Sequence, residues 1–375
     1  MVLEIDFKVR EMLAQKAEGE PYICYQCGTC TVSCLLNPEI PVRKVIRNIQ
    51  LGVVPKYGEI WKCITCNYCG AMCPRSVDIS KILRSIRVML YEEKQVPEGF
   101  NEILWTVYEN GNPLGSSRRE RFSWASNLKF SDNPEVLLYT CCLSSYDKRL
   151  QNVLKSLVNI LQSAGVEVGV LGERESCCGD IVYHTGEDYF LEEIALNNVS
   201  AIEDMKPNVV ITVSPHVYHL FKNVYPKVGA KLSMPVMHHV EYLAELLDSG
   251  RLKTGKLNKK VTYHDPCYLG RYNGVFEAPR SLIEAVDGID FIEMEHNRMD
   301  TLCCGGGGGG IWTENKEARG VTRNRLDEVA EVEAEAMVTA CPYCIRMFED
   351  ENKIMGYTFP VIDVVEIIFQ SMGGG

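Results

Sequence analysis

The stretch AMVTACPYCIRMF, residues 336–348, has an earlier counterpart in VVITVSPHVYHLF, residues 209–221. Each stretch begins with a short apolar run, which is typical of a buried strand, and continues through a proline into helical spacing. A strand that leads directly into a helix is the repeating unit of α/β folds with parallel sheets. The two stretches therefore predict an α/β region that occurs twice.

Other segments repeat in the same order. VLLYTCCL at 136–143 matches VTYHDPCYL at 261–269, and SCCGD at 176–180 matches LCCGG at 302–306. Self-similarity of this kind indicates a duplicated unit, so we expect two related Rossmann-like halves. The predicted strands are VLLYT, VEVGVL, VVITV, VTYHD, FIEM and AMVTA.

Composition narrows the class of protein. The 375-residue chain is 46% hydrophobic and has a formal net charge of −11, so it can bury a large core and is unsuited to a general nucleic-acid surface. No apolar run reaches the roughly 18 residues of a membrane span, and the first residues lack the apolar core of a secretory signal. We expect a cytoplasmic protein that meets the inner face of a membrane only through a partner.

The 17 cysteines are the most informative residues. Structural disulfides are rare in the cytoplasm, so thiolates at this density indicate metal ligands. CYQCGTCTVSC at 24–34 and CITCNYCGAMC at 63–73 share the spacing C-x2-C-x2-C-x3-C, in which the fourth cysteine of a two-cluster ferredoxin serves the other cluster. Structural zinc is the weaker alternative. We expect two cubane [4Fe–4S] clusters, one held by Cys24, Cys27, Cys30 and Cys73 and the other by Cys63, Cys66, Cys69 and Cys34.

The segment between the two cysteine runs predicts a helix. Val42, Val45, Ile46 and Ile49 follow a helical period in IPVRKVIRNIQLG, which indicates one packed face. The predicted divisions of the chain are a mainly helical ferredoxin-type domain at 1–96, a surface linker at 97–134, a first α/β half at 135–255 and a second at 256–375.

A further cysteine set lies in the second half. Cys267, Cys303, Cys304, Cys341 and Cys344 have the spacing C-x35-CC-x36-CxxC, and each group follows a predicted strand or lies on a turn. Because the carboxyl ends of parallel strands gather at one edge of a sheet, these five thiolates could converge there.

The five-cysteine spacing resembles the CCG module of heterodisulfide reductases and their relatives. VRKVIRNIQLG and IWKCITCNYC resemble the small ferredoxin subunit of the same enzymes. The order of the blocks is similar to the fused catalytic subunit of the membrane-bound heterodisulfide reductase. HDPCYLGR and CCGGGG resemble the equivalent subunit associated with sulfite reductase, and iron–sulfur subunits of glycolate and lactate oxidases share the layout.

The resemblance implies that the five cysteines of the second half hold a non-cubane [4Fe–4S] cluster. Ser214 and Val217 replace the closing pair in the first half, so we expect no full second non-cubane cluster there. Two alternatives stay open: an ordinary or smaller iron–sulfur cluster with His216 or His219 as an outside ligand, or a degenerate half without a cluster. The thiolates concerned are Cys141, Cys142, Cys177 and Cys178.

Polar residues beside Cys267 are candidates for roles in catalysis. His264 could deliver protons with Asp265, because histidine titrates near neutrality; the alternative is a hydrogen-bonded pair that holds the turn. Arg271 could bind a substrate carboxylate or sulfonate, and a surface salt bridge is its alternative. We expect His238 and His239 to be ordinary strand-end residues.

The six glycines after Cys304 predict a close approach of the backbone. Glycine allows positive φ, and the amides of Gly305, Gly306 and Gly307 could point at cluster sulfurs or at substrate. We expect Gly305–Gly310 to form a wall of the substrate pocket; a flexible hinge is the alternative. Tyr343, inside CPYC, is expected to pack near the cluster.

The resemblance implies an iron–sulfur oxidoreductase that passes electrons from two cubanes to a non-cubane cluster, where a small disulfide is reduced or reversibly formed. The alternative is an electron-transfer subunit of a flavin-dependent glycolate or lactate oxidase. We find no dinucleotide fingerprint, so flavin or cytochrome b should belong to a partner subunit in a hetero-oligomeric complex. No nucleic-acid partner is expected.

Overall fold

Each α/β half contains a four-stranded parallel sheet. The computed structural model describes residues 5–53, 58–313 and 315–374. Its strands are β1 (Val136–Tyr139), β2 (Val168–Gly169), β3 (Val209–Thr212), β4 (Val236–His238), β5 (Lys256–Tyr263), β6 (Asp287–Phe291), β7 (Ala336–Thr339) and β8 (Val361–Asp363). The sheet orders are β2-β1-β3-β4 and β6-β5-β7-β8, and every pairing is parallel. The identical order confirms the predicted duplication.

Helices flank both sheets and make up most of the region before residue 135. They are α1 (Phe7–Lys16), α2 (Glu20–Ile23), α3 (Thr29–Val32), α4 (Val42–Leu51), α5 (Tyr68–Ala71), α6 (Ile79–Glu92), α7 (Glu98–Asn110), α8 (Cys142–Tyr146), α9 (Gln151–Ser163), α10 (Asp180–Thr185), α11 (Asp188–Met205), α12 (Pro215–His219), α13 (His239–Asp248), α14 (Glu277–Glu284), α15 (Lys316–Glu331), α16 (Pro342–Met355) and α17 (Val364–Ser371). In the described parts of the chain, no helix has both the length and the apolar character to cross a bilayer.

The predicted helix between the cysteine runs is confirmed as α4. Its buried residues are Val42, Val45, Ile46 and Ile49, the face that the spacing indicated. The helix ends at Gly52, which has a φ of +70°, the left-handed conformation that glycine adopts most easily.

The segment 97–134 differs from the surface linker that we expected. It contains α7, whose Phe100, Leu104 and Val107 are buried, and a 3-10 helix that buries Arg121 and Trp124. The apolar residues of α7 recur at helical spacing and pack into the core. The polar turn residues that follow this helix suggested a linker and concealed its apolar face.

The edge strands β4 and β8 were not among the predicted strands. Each has only three residues, and each leads at once into a helix. The amides of His238 and Asp363 donate to Glu241 and Glu366 in the following helices, which closes both helix N-termini in the same way. Strands this short leave little periodicity to detect, whereas the central β1, β3 and β7 are buried along their whole length.

Candidate functional site

The two cysteine runs of the helical region line two cavities, and each cavity takes its fourth cysteine from the other run. One is lined by Cys24, Cys27, Cys30 and Cys73, and the other by Cys34, Cys63, Cys66 and Cys69. We call them the outer and the inner cavity. Burial raises the pKa of Cys30 to about 11 and that of Cys34 to about 12, so these residues become thiolates only where a bound cation compensates the charge. Four cysteines around each cavity fit a cubane cluster.

The five cysteines of the second half converge from three separate segments. Cys267 follows β5, Cys303 and Cys304 precede the glycine run, and Cys341 and Cys344 lie at the start of α16. The Sγ atoms of Cys267 and Cys303 are 4.0 Å apart. Cys303 also contacts Cys304, which contacts Cys344, and Cys344 contacts Cys341. All five side chains are buried, with at most 6% of each residue exposed.

Backbone amides point at two of these sulfurs. The amide of Gly305, which has a φ of +86°, donates to Cys303 Sγ at 3.4 Å, and the amide of Gly306 donates to the thiol of Cys304. Hydrogen bonds of this kind stabilise negative charge on sulfur and tune a bound metal centre. The set of five thiols and two amides therefore fits an iron–sulfur cluster with thiolate ligands.

The rest of the glycine run packs against the loop that carries the inner cavity. A Cβ atom on Gly307 would lie 2.4 Å from the carbonyl oxygen of Ile64, and one on Gly308 would lie 2.3 Å from that of Cys63. Glycine is required here because two main chains meet. Gly307 and Gly308 therefore face protein and not a substrate pocket, while a pocket wall at Gly305 and Gly306 stays a prediction.

Arg87, on α6, holds the same junction together. Its guanidinium is buried and donates to the carbonyl oxygens of Cys63 at 2.8 Å, Gly308 at 3.0 Å and His184 at 3.0 Å. It also donates to the carbonyl oxygens of Ile60 and Trp61. One arginine thus joins the inner cavity, the first half and the glycine run. Arg87 was not recognised in the sequence, because its partners are carbonyls of distant segments.

Arg271 lies on the other side of the inner cavity. Its Nε donates to the carbonyl oxygen of Cys66 at 2.7 Å, and its Nη1 donates to that of Thr301 at 2.6 Å. The residue is buried, so the surface salt bridge that we considered is wrong. These bonds hold the cysteine loop against the second half and leave only Nη2 without a partner among the described residues.

The inner cavity and the five-cysteine site are adjacent. Cys66, an inner-cavity cysteine, contacts Cys303 directly. Thr65 bonds Tyr268 through their hydroxyls at 2.9 Å, and the Tyr272 hydroxyl donates to the carbonyl oxygen of Thr65 at 2.9 Å. The outer cavity, the inner cavity and the five thiols therefore form a continuous series through the molecule.

The first half brings its four cysteines together but lacks the closing pair. Cys142 contacts Cys177, which contacts Cys178, and Cys141 hydrogen-bonds with Ser214. Arg121 donates to Cys142 Sγ at 3.0 Å. In place of a fifth ligand, this half therefore has an arginine beside its cysteines.

Comparison with known proteins places the two halves in a family. The model of the cysteine-rich domain CCG matches residues 136–221 and 261–349. The chain contains two CCG domains. One copy lies on each of the two sheets.

Three relatives define the wider group. The "Probable iron-sulfur-binding oxidoreductase FadF" of Bacillus subtilis is 33% identical, over 86% of this chain and 48% of FadF. The "EtfAB:quinone oxidoreductase" of Syntrophomonas wolfei is also 33% identical, over 84% of this chain and 46% of the relative. One subunit of the dihydromethanophenazine:CoB--CoM heterodisulfide reductase of Methanosarcina barkeri is 29% identical, over 84% of this chain and 78% of that subunit. The chain thus spans about half the length of the first two relatives. Along most of its own length it is related to these three proteins.

One solved structure shares the fold. A hypothetical protein from Helicobacter pylori superposes with a TM-score of 0.54 at 11% identity, covering 99% of this chain and 74% of the other. Identity this low supports the fold alone.

The residues beside Cys267 in the second CCG copy do not match the proton-delivery role that we considered. Burial, with Arg325 and Arg271 nearby, holds the pKa of His264 well below its usual range, and its Nδ1 accepts from Arg325 at 3.2 Å. Asp265 binds Arg280 through both oxygens, at 2.7 and 2.9 Å. These contacts favour a structural role for both residues, in which each bonds an arginine and not the other.

An acid–histidine network lies between the two CCG copies. Asp180 Oδ1 is 3.0 Å from His216 Nδ1 and 3.5 Å from His184 Nε2. His184 Nε2 also bonds the Tyr268 hydroxyl at 2.7 Å. The His216 ring stacks on Tyr268 and lies 4.4 Å from that of Tyr343. His216 therefore faces the second copy, and Asp180, which the sequence analysis did not single out, anchors it.

Three further histidines have structural surroundings. His219 packs its ring against Tyr268 and Tyr272, and burial lowers its pKa to about 3. His238 ends β4 and His239 begins α13, as expected for strand-end residues. His239 Nε2 bonds Asp363 at 3.1 Å.

Proposed function

We propose that this chain is the catalytic part of a heterodisulfide-reductase-like complex. Its residues would hold two cubane [4Fe–4S] clusters in the outer and inner cavities and a non-cubane [4Fe–4S] cluster on the five cysteines of the second CCG copy. When bound, the clusters supply one-electron transfer and soft metal centres able to bind the sulfurs of a disulfide. The relatives named above support the iron–sulfur chemistry.

The contact between Cys66 and Cys303 carries the proposal. It makes the inner cavity a direct neighbour of the five-thiol site, so the order of the three sites matches a route from the surface to a buried reaction centre. The amides of Gly305 and Gly306 stabilise the charge on sulfur. Burial of the thiols excludes water and strengthens these interactions.

Electron relay without substrate chemistry is the second candidate. The burial of all five cysteines in the second copy favours it, because a disulfide would need to reach them. In this case the chain would pass electrons for a flavoprotein, as in glycolate or lactate oxidases. Under either function we propose a flavin-containing or cytochrome b-type partner, a hetero-oligomeric complex, and a cytoplasmic position at the membrane through that partner.

The variant Cys304→Ala separates the two candidates. With the chain reconstituted anaerobically, we expect the variant to lose the paramagnetic signal that small thiols or disulfides induce in the native protein. Reduction of the two cubanes by dithionite should stay intact, because Cys304 lines neither cavity. Cys142→Ala in the first copy is the matched control and should keep both properties.

Two results would contradict the proposed disulfide chemistry. The first is that the native protein gives no substrate-dependent signal with any thiol tested, while a reduced flavoprotein reduces its cubanes quickly. This combination is the outcome expected for an electron relay. The other is equal loss of both properties in Cys304→Ala.

A further inference from the structure

The outer cavity is the cysteine site nearest to solvent. Cys27 is exposed, whereas the other 16 cysteines are half-buried or buried. Electron tunnelling weakens steeply with distance, so a donor protein should dock where a redox centre comes closest to the surface. The surface around Cys27 is therefore the place to look for docking.

Large apolar side chains stand in solvent on the segment that carries Cys27. Tyr25 is 60% exposed and Val32 is 80% exposed; both belong to the loop and short helix that carry Cys24, Cys27 and Cys30. Exposed apolar groups in a cluster mark interaction surfaces, and tyrosine is enriched in them.

Positively charged side chains surround the outer cavity. Arg43, Lys44 and Arg47 are exposed on α4, and Arg75 follows Cys73. The Arg43 side chain lies over the cysteine loop, since a Cβ on Gly28 would be 3.5 Å from its Cδ. Arg43 and Arg75 also line the outer cavity.

These four cations are not neutralised locally. Within residues 5–53, 58–313 and 315–374, none of the four lies within 4.0 Å of a carboxylate oxygen in an ion pair. The chain as a whole carries a net charge of −11, so a local group of unpaired cations contrasts with the rest of the molecule. Such a patch attracts an acidic partner and orients it.

We propose that an electron-donor protein with an acidic face docks on this surface and reduces the centre in the outer cavity. The docking surface consists of Tyr25, Val32, Arg43, Lys44, Arg47 and Arg75. The apolar residues contact the partner next to Cys27, and the cations pair with carboxylates around its redox group. This inference rests on the proposed electron-transfer function and specifies where electrons enter and what kind of protein delivers them.

Flavodoxin in its hydroquinone state is a suitable probe, because it is a small acidic flavoprotein. The first measurement is the second-order rate constant for reduction of the full, anaerobically reconstituted chain in a stopped-flow instrument. We expect Arg43→Glu/Arg47→Glu to lower this rate constant about tenfold at low ionic strength, and salt should remove the difference. The control Lys231→Glu/Lys253→Glu makes the same change in net charge at exposed sites in the CCG region and should leave the rate constant within about twofold of native.

The second measurement locates the contact without any electron transfer. A carbodiimide that links lysines to carboxylates should join flavodoxin to Lys44, and mass spectrometry identifies the linked peptide. Arg43→Gln/Arg47→Gln, which removes charge without introducing repulsion, should reduce this linkage while iron content and thermal stability remain native. Because no disulfide is present, this result is independent of the proposed disulfide chemistry.

Several outcomes would overturn the docking proposal. Equal slowing by both charge-reversal pairs would show an effect of net charge alone. Linkage at lysines away from the docking surface would place the donor elsewhere. Linkage of Lys44 to carboxylates of a second copy in the absence of flavodoxin would make the surface a self-association face. Binding of the native chain, but not of Arg43→Glu/Arg47→Glu, to phosphatidylglycerol vesicles without flavodoxin linkage would make it a lipid-binding face.

Discussion

The first and second CCG copies share a backbone and differ in the number and position of their cysteines. Gly179 and Gly305 both have a φ of +86°, and each amide donates to a cysteine Sγ at 3.4 Å, that of Cys177 or Cys303. The strand orders are also the same. The architecture that gathers cysteines at the carboxyl edge of a sheet is therefore present in both copies.

The copies diverge in the first turn of the helix that follows the third strand. Cys341 and Cys344 occupy this turn in the second copy. Ser214 and Val217 occupy it in the first, where the Ser214 hydroxyl accepts the amide of Val217 at 3.5 Å. This turn thus accounts for two of the five thiols of the second copy, and Cys141, which stands where the second copy has Pro266, brings the first copy to four.

A second difference follows the paired cysteines. Asp180 stands where the second copy has Gly306, and it binds His216. In the first copy, Asp180 and His216 meet at this position and bond each other. In the second copy, Gly307 and Gly308 allow the loop that carries Cys63 to pack against the main chain. The comparison teaches that one scaffold can pack its cysteine loop either beside its own polar network or against a loop from another region of the chain.

The largest effect should come from making the second copy resemble the first. We expect Cys341→Ser/Cys344→Val to remove about four iron atoms per chain, because the remaining thiols no longer close the ligand set. Iron and sulfide analysis measures the loss. The reciprocal Ser214→Cys/Val217→Cys should keep all the iron of the native chain. Unchanged iron in the first variant would contradict the assignment of the five-cysteine cluster.

Loss of the arginine that joins both copies should be the next largest effect. Arg87→Met removes the donor that five carbonyl oxygens share, of which only that of Ile60 also accepts the Cys63 amide, so we expect the free energy of unfolding to fall by about 3 kcal/mol. Urea unfolding under anaerobic conditions measures it. Arg119→Met, at an exposed arginine, should change it little. Equal stability of the two variants would show that the junction does not depend on Arg87.

The glycine run offers a test of the contact that only the second copy makes. Gly308→Ala would place a Cβ 2.3 Å from the carbonyl oxygen of Cys63 at a φ of +61°. We expect the free energy of unfolding to fall by about 2 kcal/mol. Gly320→Ala, in an open position on α15, should be neutral or slightly stabilising. A native-like Gly308→Ala chain would exclude close main-chain packing here.

The smallest effect concerns Ser214 itself. If Ser214 only caps α12, Ser214→Ala should lower the free energy of unfolding by about 0.5 kcal/mol and leave the iron content unchanged. Thermal unfolding and iron analysis on the same samples measure both quantities. Loss of iron would instead make Ser214 a ligand in the first copy.

Much of the architecture could be predicted from local patterns. The repeat predicted two α/β copies, and the apolar spacing predicted the buried face of α4, because strand and helix periodicities are properties of neighbouring residues. Cysteine spacing indicated iron–sulfur chemistry, and the structure groups the cysteines of the outer and inner cavities in the predicted sets. Whether those sets hold cubanes remains a prediction.

Contacts between distant segments could not be predicted. The sequence suggested a substrate role for Arg271, but its hydrogen bonds run to carbonyls of the cysteine loop and the second copy. It suggested a titrating His264, but burial beside Arg325 lowers the pKa of that histidine. Burial and neighbouring charge decide protonation and hydrogen bonding, and neither can be read from residue order.

The sequence by itself determined which residues can ligate metal and where the central strands of the two sheets lie, because side-chain identity and periodicity are local. Only the tertiary structure decided that Cys66 meets Cys303 and that glycines 307 and 308 admit a second main chain. It also decided that Asp180 binds His216, whose ring stacks on Tyr268 of the second copy. Those contacts arise from the packing of three regions against each other, and packing depends on shape and burial across the whole chain.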